Sequence, residues 1–311
     1  MQIDDETFQP GGIAEKMNRN QNETRIASPA RTKQILQQHG IKLKKSLGQN
    51  FLTDANILRK IAAAANLTQE HGVLEVGPGI GALTEHLAES AGKVVAVEID
   101  QRFIPVLKDV FSSHGHVEIV HGDILKLDLE HLLKQHFSHL TSVHAVANLP
   151  YYITTPILLK LLHAERLENI VVMIQKEVAD RLAAKPGSKD YGSLSIAVQY
   201  YSEPDVIAHV PPSVFIPPPQ VASAVIRLRR RKKPLVQVKD EAFFFDAVRA
   251  AFAQRRKTIY NNWLNKFYGK EDGERLKQLL IQAEIDPSRR GETLSIEEFA
   301  RICDFMHDDL K

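Results

Sequence analysis

From Gly72 onward, short β-branched runs alternate with longer stretches whose apolar residues recur every three to four positions, and nothing else in the chain restricts its fold as strongly. The runs cover residues 73–76, 94–99, 117–120, 143–147, 170–174, 196–201 and 221–228. Such alternation predicts an α/β fold with a mostly parallel, seven-stranded sheet and helices on both faces. The last two runs have no long helix between them, only Pro211, Pro212 and the Pro217-Pro218-Pro219 stretch, and so predict an antiparallel pair at one edge.

At 311 residues, and at roughly 150 residues per domain, one large domain and a smaller one are expected. The 43% hydrophobic content supplies a sizeable core and excludes wholesale disorder. Residues 1–28 lack apolar periodicity and read as a disordered N-terminal extension. Short helices are expected at 31–38 and 55–65, the second capped by Thr53 or Asp54. Residues 227–233 contain six basic residues in seven, and Pro234 follows. That pairing marks a boundary between a domain at 29–233 and a small all-α domain at 234–311. In the latter, Phe244, Val248, Phe252, Ile259, Trp263 and Phe267 fit one face of a long helix. Ser295 and Glu298 stand in capping-box register before a final helix, with Leu294 and Phe299 at the flanking staple positions.

A single cysteine, Cys303, excludes an internal disulfide and any Cys-rich zinc or iron-sulfur ligand set. It reads as a buried packing residue of the last helix. The histidines form no metal-ligand spacing, so no metal is expected. The polar, acidic N-terminus does not read as a secretory signal, and no apolar run approaches the roughly 20 residues that cross a bilayer. A cytoplasmic protein is therefore expected. Net charge is only +2, so any nucleic-acid binding has to be argued from clustering.

Val73-Leu74-Glu75-Val76-Gly77-Pro78-Gly79-Ile80-Gly81-Ala82 places glycines between the first parallel strand and a helix. Without Cβ atoms, Gly77 and Gly79 permit a sharp turn and close approach of a ligand. Unpaired N–H groups there favour a phosphate or a carboxylate. The loop does not choose between them, and Gly77, Gly79 and Ala82 also satisfy the dinucleotide pattern. Glu98 ends the second parallel strand, where a carboxylate can accept from both hydroxyls of a ribose. Asp123 follows the third and could accept from the amine of an adenine. A solvated strand end is the alternative for either acid alone. Three successive strand ends converging on one crevice favour the ligand site.

Ala147-Asn148-Leu149-Pro150-Tyr151-Tyr152 follows the fourth parallel strand. The amine of adenine is a poor nucleophile because its lone pair is delocalised into the ring. The Asn148 side-chain oxygen and the Leu149 carbonyl could each accept one amine hydrogen and draw the nitrogen toward tetrahedral geometry. Pro150 would hold the backbone rigid and Tyr151 would offer a ring for stacking. The alternative is a simple proline turn closing a strand.

These motifs together resemble the ribosomal RNA adenine dimethyltransferase family, in particular its small-subunit enzymes. The resemblance spans about residues 41–302. It is carried by Lys45-Ser46-Leu47-Gly48-Gln49-Asn50-Phe51-Leu52, the glycine loop, Glu98-Ile99-Asp100, Gly122-Asp123, Asn148-Leu149-Pro150-Tyr151 and Phe215-Ile216-Pro217-Pro218-Pro219-Gln220-Val221. It implies a Rossmann-like class I methyltransferase sheet, with Asn50, Leu52, Gly77, Glu98, Asp123 and Asn148 around S-adenosylmethionine. It also implies that Phe215 and Tyr151 sandwich the target base. The implied substrate is a pair of adjacent adenosines in the 3′-terminal hairpin of 16S rRNA, within an immature small subunit, each converted to N6,N6-dimethyladenosine by a monomeric enzyme. The long N-terminal extension departs from the family pattern and bears on ribosome contacts, not on the chemistry.

Candidate RNA contacts are Lys42, Lys44 and Lys45, then Arg229 and Arg230 within the basic run through Lys233, then Arg249, Arg255, Arg256 and Lys257 on the long helix. The 185–189 loop is expected to be mobile. Three other functions stay open at this point: a nicotinamide-dependent oxidoreductase, a ribosome-assembly factor that works by RNA binding, and an adenine methyltransferase acting on large-subunit RNA or DNA.

Overall fold

The computed structural model describes residues 25–41 and 49–311. Packing divides the chain into two compact units: the chain up to Thr154 together with Val210–Ala222, and Thr155–His209 together with Ser223–Lys311.

The first unit contains helix α1 (Pro29–Gln38), strand β1 (Phe51–Leu52) and α2 (Ala55–Ala64). Then follow β2 (His71–Val76), α3 (Ala82–Ala88), β3 (Lys93–Glu98), α4 (Phe103–Val110), β4 (Val117–His121), α5 (Leu129–Phe137) and β5 (Ser142–Asn148). Strands β2, β3, β4 and β5 run parallel, with Val73 opposite both Val94 and His144 and Val94 opposite Val117. Val73, Leu74, Val94, Val95 and Ala96 are fully buried. Strands covered on both faces read as unbroken apolar runs, and each such valine or leucine contributes about 1.5–3 kcal/mol through burial. Strand β4 is only partly buried along its length, as an edge strand is. Asp54 caps α2 by accepting from the Asn56 and Ile57 amides, which settles the choice between Thr53 and Asp54.

The second unit contains α6 (Thr154–His163), β6 (Leu167–Gln175), α7 (Lys176–Leu182), α8 (Ser193–Tyr201) and β7 (Ser202–Val210). A short strand, β8 (Phe215–Ile216), belongs to the first unit and pairs antiparallel with β1, with Leu52 opposite Phe215. The second unit resumes with β9 (Ser223–Arg230), α9 (Glu241–Ala251), α10 (Ile259–Phe267), α11 (Gly273–Gln282) and α12 (Ile296–Asp309). The expected seven-stranded sheet is present, in the order β4-β3-β2-β5-β6-β9-β7, and β9 runs antiparallel to β6. The helices after Pro234 share one core with the 184–200 segment: Tyr191, Ile196 and Tyr200 pack with Phe244, Trp263 and Phe299. Among the described residues no helix is long and apolar enough to cross a membrane.

Four local expectations need correction. Residues 196–201 belong to α8, and the strand is the more polar segment that follows. The α8 backbone bends back through the Ser195 hydroxyl, which accepts from the Gly192 amide at 3.0 Å and donates to the Arg181 carbonyl at 2.6 Å. Ile196 and Tyr200, one helical turn apart, both enter the core, so tertiary packing overrides strand propensity. The single long helix expected from Phe244 to Phe267 is two helices, broken at 252–258 and restarted by Thr258, whose hydroxyl accepts from the Asn261 amide at 3.2 Å. Seven-residue spacing between Phe252 and Ile259 is equally compatible with a break. Of the extension expected at 1–28, residues 1–24 lie outside the described residues, whereas Ile26 and Ala27 are buried and Ser28 caps α1. The 185–189 loop is tied down by the Gly187 amide donating to the Glu292 carbonyl at 2.7 Å and by Arg255 donating to the Lys189 carbonyl at 2.6 Å. The C-terminal capping box forms as expected between Ser295 and Glu298, and Leu294, Phe299 and Cys303 are buried.

Candidate active site

Strand β2 delivers the chain into a turn that only glycine adopts without strain. Gly77, Gly79 and Gly81 all have positive φ, and a Cβ on Gly79 would lie 2.9 Å from the Phe51 ring. The amides of this loop are already engaged. Gly77 donates to the Val97 carbonyl, Gly81 to the Pro78 carbonyl, and Gly79 to Glu98 Oε2, each at 2.9 Å. The loop therefore does not present these three N–H groups to an anion.

Glu98 is held at both oxygens, since the Asp100 amide donates to Oε1 at 2.8 Å. Each oxygen keeps a second lone pair for a ligand hydroxyl. Burial raises its pKa, an effect the Asp100 and Gly79 amides partly offset. Next to it, Asp100 accepts from Arg102 and from Gln49 Nε2 at 2.9 Å, and chiefly the Arg102 bonds hold its carboxyl down at about 2. This anchors the turn after β3 and the segment entering β1.

One cavity is lined by Asn50, Leu52, Gly77, Gly79, Glu98 and Asn148, with Leu149, Pro150, Tyr151 and Phe215 also in its wall. The β1–β8 pairing explains how Phe215, remote in sequence, reaches it, and the Thr53 amide reinforces the pairing by donating to the Val214 carbonyl at 2.9 Å. Asn148 ends β5. Its Nδ2 donates to the Asn50 carbonyl at 3.4 Å, an orientation that leaves Oδ1 as the free acceptor of the amide. No described residue donates to the Leu149 carbonyl, whereas the Pro150 carbonyl receives the Thr154 hydroxyl at 3.0 Å. Two unengaged acceptors thus lie at one bend of backbone, next to two aromatic side chains.

Asp123 is not in the cavity wall. Its Oδ1 accepts from the Leu125 amide at 3.0 Å and Lys126 lies 3.9 Å away, so the carboxylate closes its own turn. Glu75 is a wall residue that sequence reading did not select. It is 1% exposed, its Oε2 has no hydrogen-bond partner, and burial, helped by the neighbouring charge of Glu98, raises its pKa to about 8. The signal was available: a carboxylate within a run otherwise fit for a sheet interior. Two carboxyl groups facing one cavity suit a ligand that carries hydroxyl and other polar groups.

In the second unit the basic candidates divide by what they touch. Arg230 donates through Nε to the Leu167 carbonyl and through Nη2 to the Leu162 and Ala164 carbonyls, closing the C-terminus of α6. Arg255 donates to the Lys189 carbonyl and pairs with Glu292 at 3.2 Å. These two residues, expected to face RNA, are engaged in holding the fold. Arg229 lies 3.5 Å from Glu203, and Arg249 pairs with Asp246 at 3.3 Å. Arg256 and Lys257 are exposed, on the turn between α9 and α10 and not on a helix. Lys42, Lys44 and Lys45 lie outside the described residues.

Residues 40–306 match the ribosomal RNA adenine dimethylase family. The chain belongs to this family. Among its relatives, the ribosomal RNA small subunit methyltransferase A of Geobacillus sp. (strain WCH70) is 59% identical, covering 90% of this chain and 97% of the relative. That of Bacillus licheniformis is 55% identical over 92% and 98%. Among solved structures, a dimethyladenosine transferase from Plasmodium falciparum superposes with a TM-score of 0.68 at 26% identity, covering 80% of this chain and 94% of that one. The 23S rRNA methyltransferase ErmE gives a TM-score of 0.62 at 27% identity, covering 82% and 99%. Membership in the dimethylase family sets aside the nicotinamide-dependent oxidoreductase.

Proposed function

We propose that this chain transfers methyl groups from S-adenosylmethionine to the N6 amines of two adjacent adenosines in the 3′-terminal hairpin of 16S rRNA, acting as a cytoplasmic monomer on an immature small subunit. The observation that carries the reading is the pair of acceptors with no donor among the described residues, Asn148 Oδ1 and the Leu149 carbonyl, on residues that line the same cavity as Glu98 and the glycine loop.

The residues present fit the donor. Glu98 keeps lone pairs for ribose hydroxyls, the Gly77 Cβ position has no atom within 4 Å, and the orphaned Glu75 oxygen is left for a polar group of the ligand. Asn50, Leu52 and Gly79 complete the wall. When bound, S-adenosylmethionine supplies a methyl carbon made electrophilic by its sulfonium. The protein's part is to shape the amine: in the first transfer Asn148 and Leu149 each accept one N–H, and in the second one of them accepts the N–H that remains, so the nitrogen lone pair leaves conjugation with the ring as positive charge develops. Pro150, with φ of −59°, fixes the spacing of these acceptors. Tyr151 and Phe215 hold the base by stacking, as RNA enzymes do with unstacked adenosines. No group in this scheme acts as a strong base: each transfer leaves a positively charged, acidic amine that gives its proton to water. Asp123, whose Oδ1 accepts from the Leu125 amide, keeps lone pairs for the amine of the donor's adenine. Residues 234–311 form the helical RNA-binding domain of this scheme, and Arg229, Arg249, Arg256 and Lys257 hold phosphates.

Small subunits from cells lacking this activity, incubated with the protein and methyl-labelled donor, should gain N6,N6-dimethyladenosine at two adjacent positions near the 3′ end. Labelling of large-subunit RNA alone, or of no RNA, would overturn the reading. The 55–59% identity to small-subunit enzymes favours the small subunit over the large one.

A further inference from the structure

We propose that a cleft in the second unit is a separate RNA subsite, which takes one unpaired nucleobase together with the phosphate beside it. The inference rests on the RNA substrate proposed above. The cleft is about 270 Å³ and lies among α6, α8 and α9, with His163, Tyr201 and Phe245 as its rings, Ala197 and Ser193 on one wall, and Arg249 at the rim. The His163 and Tyr201 rings lie 5.3 Å apart, centroid to centroid, and Tyr201 stacks on Phe245 at 5.8 Å with 27° between planes. His163 Nδ1 is 2.6 Å from the Leu159 carbonyl, so it is the donor and Nε2 is the ring atom left for a ligand. The Tyr201 hydroxyl is taken by Glu241, which leaves that residue's ring as its contribution to the cleft.

Arg249 is shared. It also lines an adjoining groove with Asn265 and Lys266, and the Arg249 and Lys266 side chains are 64% and 53% exposed. Asp246 lies between the two cations, 3.3 Å from Arg249 and 3.7 Å from Lys266, and keeps both side chains beside the groove. A flat heteroaromatic ring suits the cleft, because three rings and a hydroxyl match its faces and edges. An anion suits the groove one side chain away. A nucleotide presents both groups at that separation, and stacking platforms beside a cationic track are how unpaired RNA strands are held. The site reads no sequence, since stacking accepts any base. It adds grip and register outside the chemical centre.

The test uses undermethylated small subunits carrying 4-thiouridine, mixed with the full-length protein, irradiated, and mapped by peptide mass spectrometry. Cross-links from RNA to the peptides holding His163, Tyr201 or Phe245 are expected. Ala197→Glu, which fills the cleft with a carboxylate, should weaken subunit binding about tenfold or more while S-adenosylmethionine binding by calorimetry stays at the wild-type level. Asp246→Asn, which frees two cations, should tighten subunit binding and steepen its salt dependence. Cross-links confined to other segments, or Ala197→Glu binding subunits within twofold of wild type with an unchanged melting temperature, would overturn the subsite. If Ala197→Glu fails to fold, an Asp246→Asn affinity no tighter than wild type is itself the refuting result. Wild-type protein that binds no subunits at all would instead sink the proposed function.

Discussion

Replacing Glu75 by Gln should stabilise the free protein at neutral pH, a direction opposite to most substitutions of buried residues. Glu75 is 1% exposed, and its carboxyl is pushed up from 4.5 to about 8, first by burial and then by the charge of Glu98. The folded state therefore keeps a proton that the unfolded chain gives up above pH 4.5. Between pH 4.5 and 8 the native state binds more protons than the unfolded state, so stability falls as pH rises. At about 1.36 kcal/mol per unit, pH 7 stands roughly 2.5 units into this window, for a loss of roughly 3 kcal/mol. Glutamine keeps the shape and carries no charge, so the variant escapes the loss. At roughly 2 °C per kcal/mol, its melting temperature at pH 7 should exceed that of wild type by roughly 6 °C. The two proteins should converge near pH 5. Thermal melts of both from pH 5 to pH 8 make the comparison, and parallel curves across that range would refute the reasoning.

Other substitutions separate fold from function. Gly79→Ala forces a residue with a Cβ into φ of +60° and against Phe51, so it should cost about 1–3 kcal/mol in strain and weaken S-adenosylmethionine binding, read by melting and calorimetry. Arg230→Ala removes the clasp on α6 and should lower the melting temperature. Arg256→Ala should leave melting unchanged and reduce the slope of log affinity against log salt for RNA by about one. Asp100, held at about 2 mainly by Arg102, contributes stability that is present above pH 3.8 and is lost as pH falls toward 2. Asp100→Asn should therefore melt lower than wild type at pH 6 and nearly match it at pH 2.

Much of the site was legible because it lies at strand ends, where one-dimensional order becomes spatial order. The glycine loop, Glu98 and Asn148 each follow a β-branched run, and parallel strands bring such positions to a common edge. Phe215 could not be placed by periodicity, since its link to the cavity is the two-residue pairing of β1 with β8, too short to leave a pattern. Glu75 was overlooked because a strand interior reads as packing, and only burial shows that one of its oxygens has no partner. The basic clusters misled in the opposite direction. Composition shows that Arg230 and Arg255 carry charge but not that carbonyl groups nearby already receive their donors. The boundary of α8 was missed where Ile196 and Val198 favour a strand locally and the core around Phe244 and Trp263 favours a helix.

The acceptors at the bend after β5 are tested most directly by single-turnover methyl transfer with Asn148→Ala at saturating S-adenosylmethionine and saturating undermethylated subunits. Loss of one acceptor should slow the first transfer by about 10²–10³ with both sites saturated. A variant that transfers within a few-fold of the wild-type rate would show that Asn148 does not activate the amine.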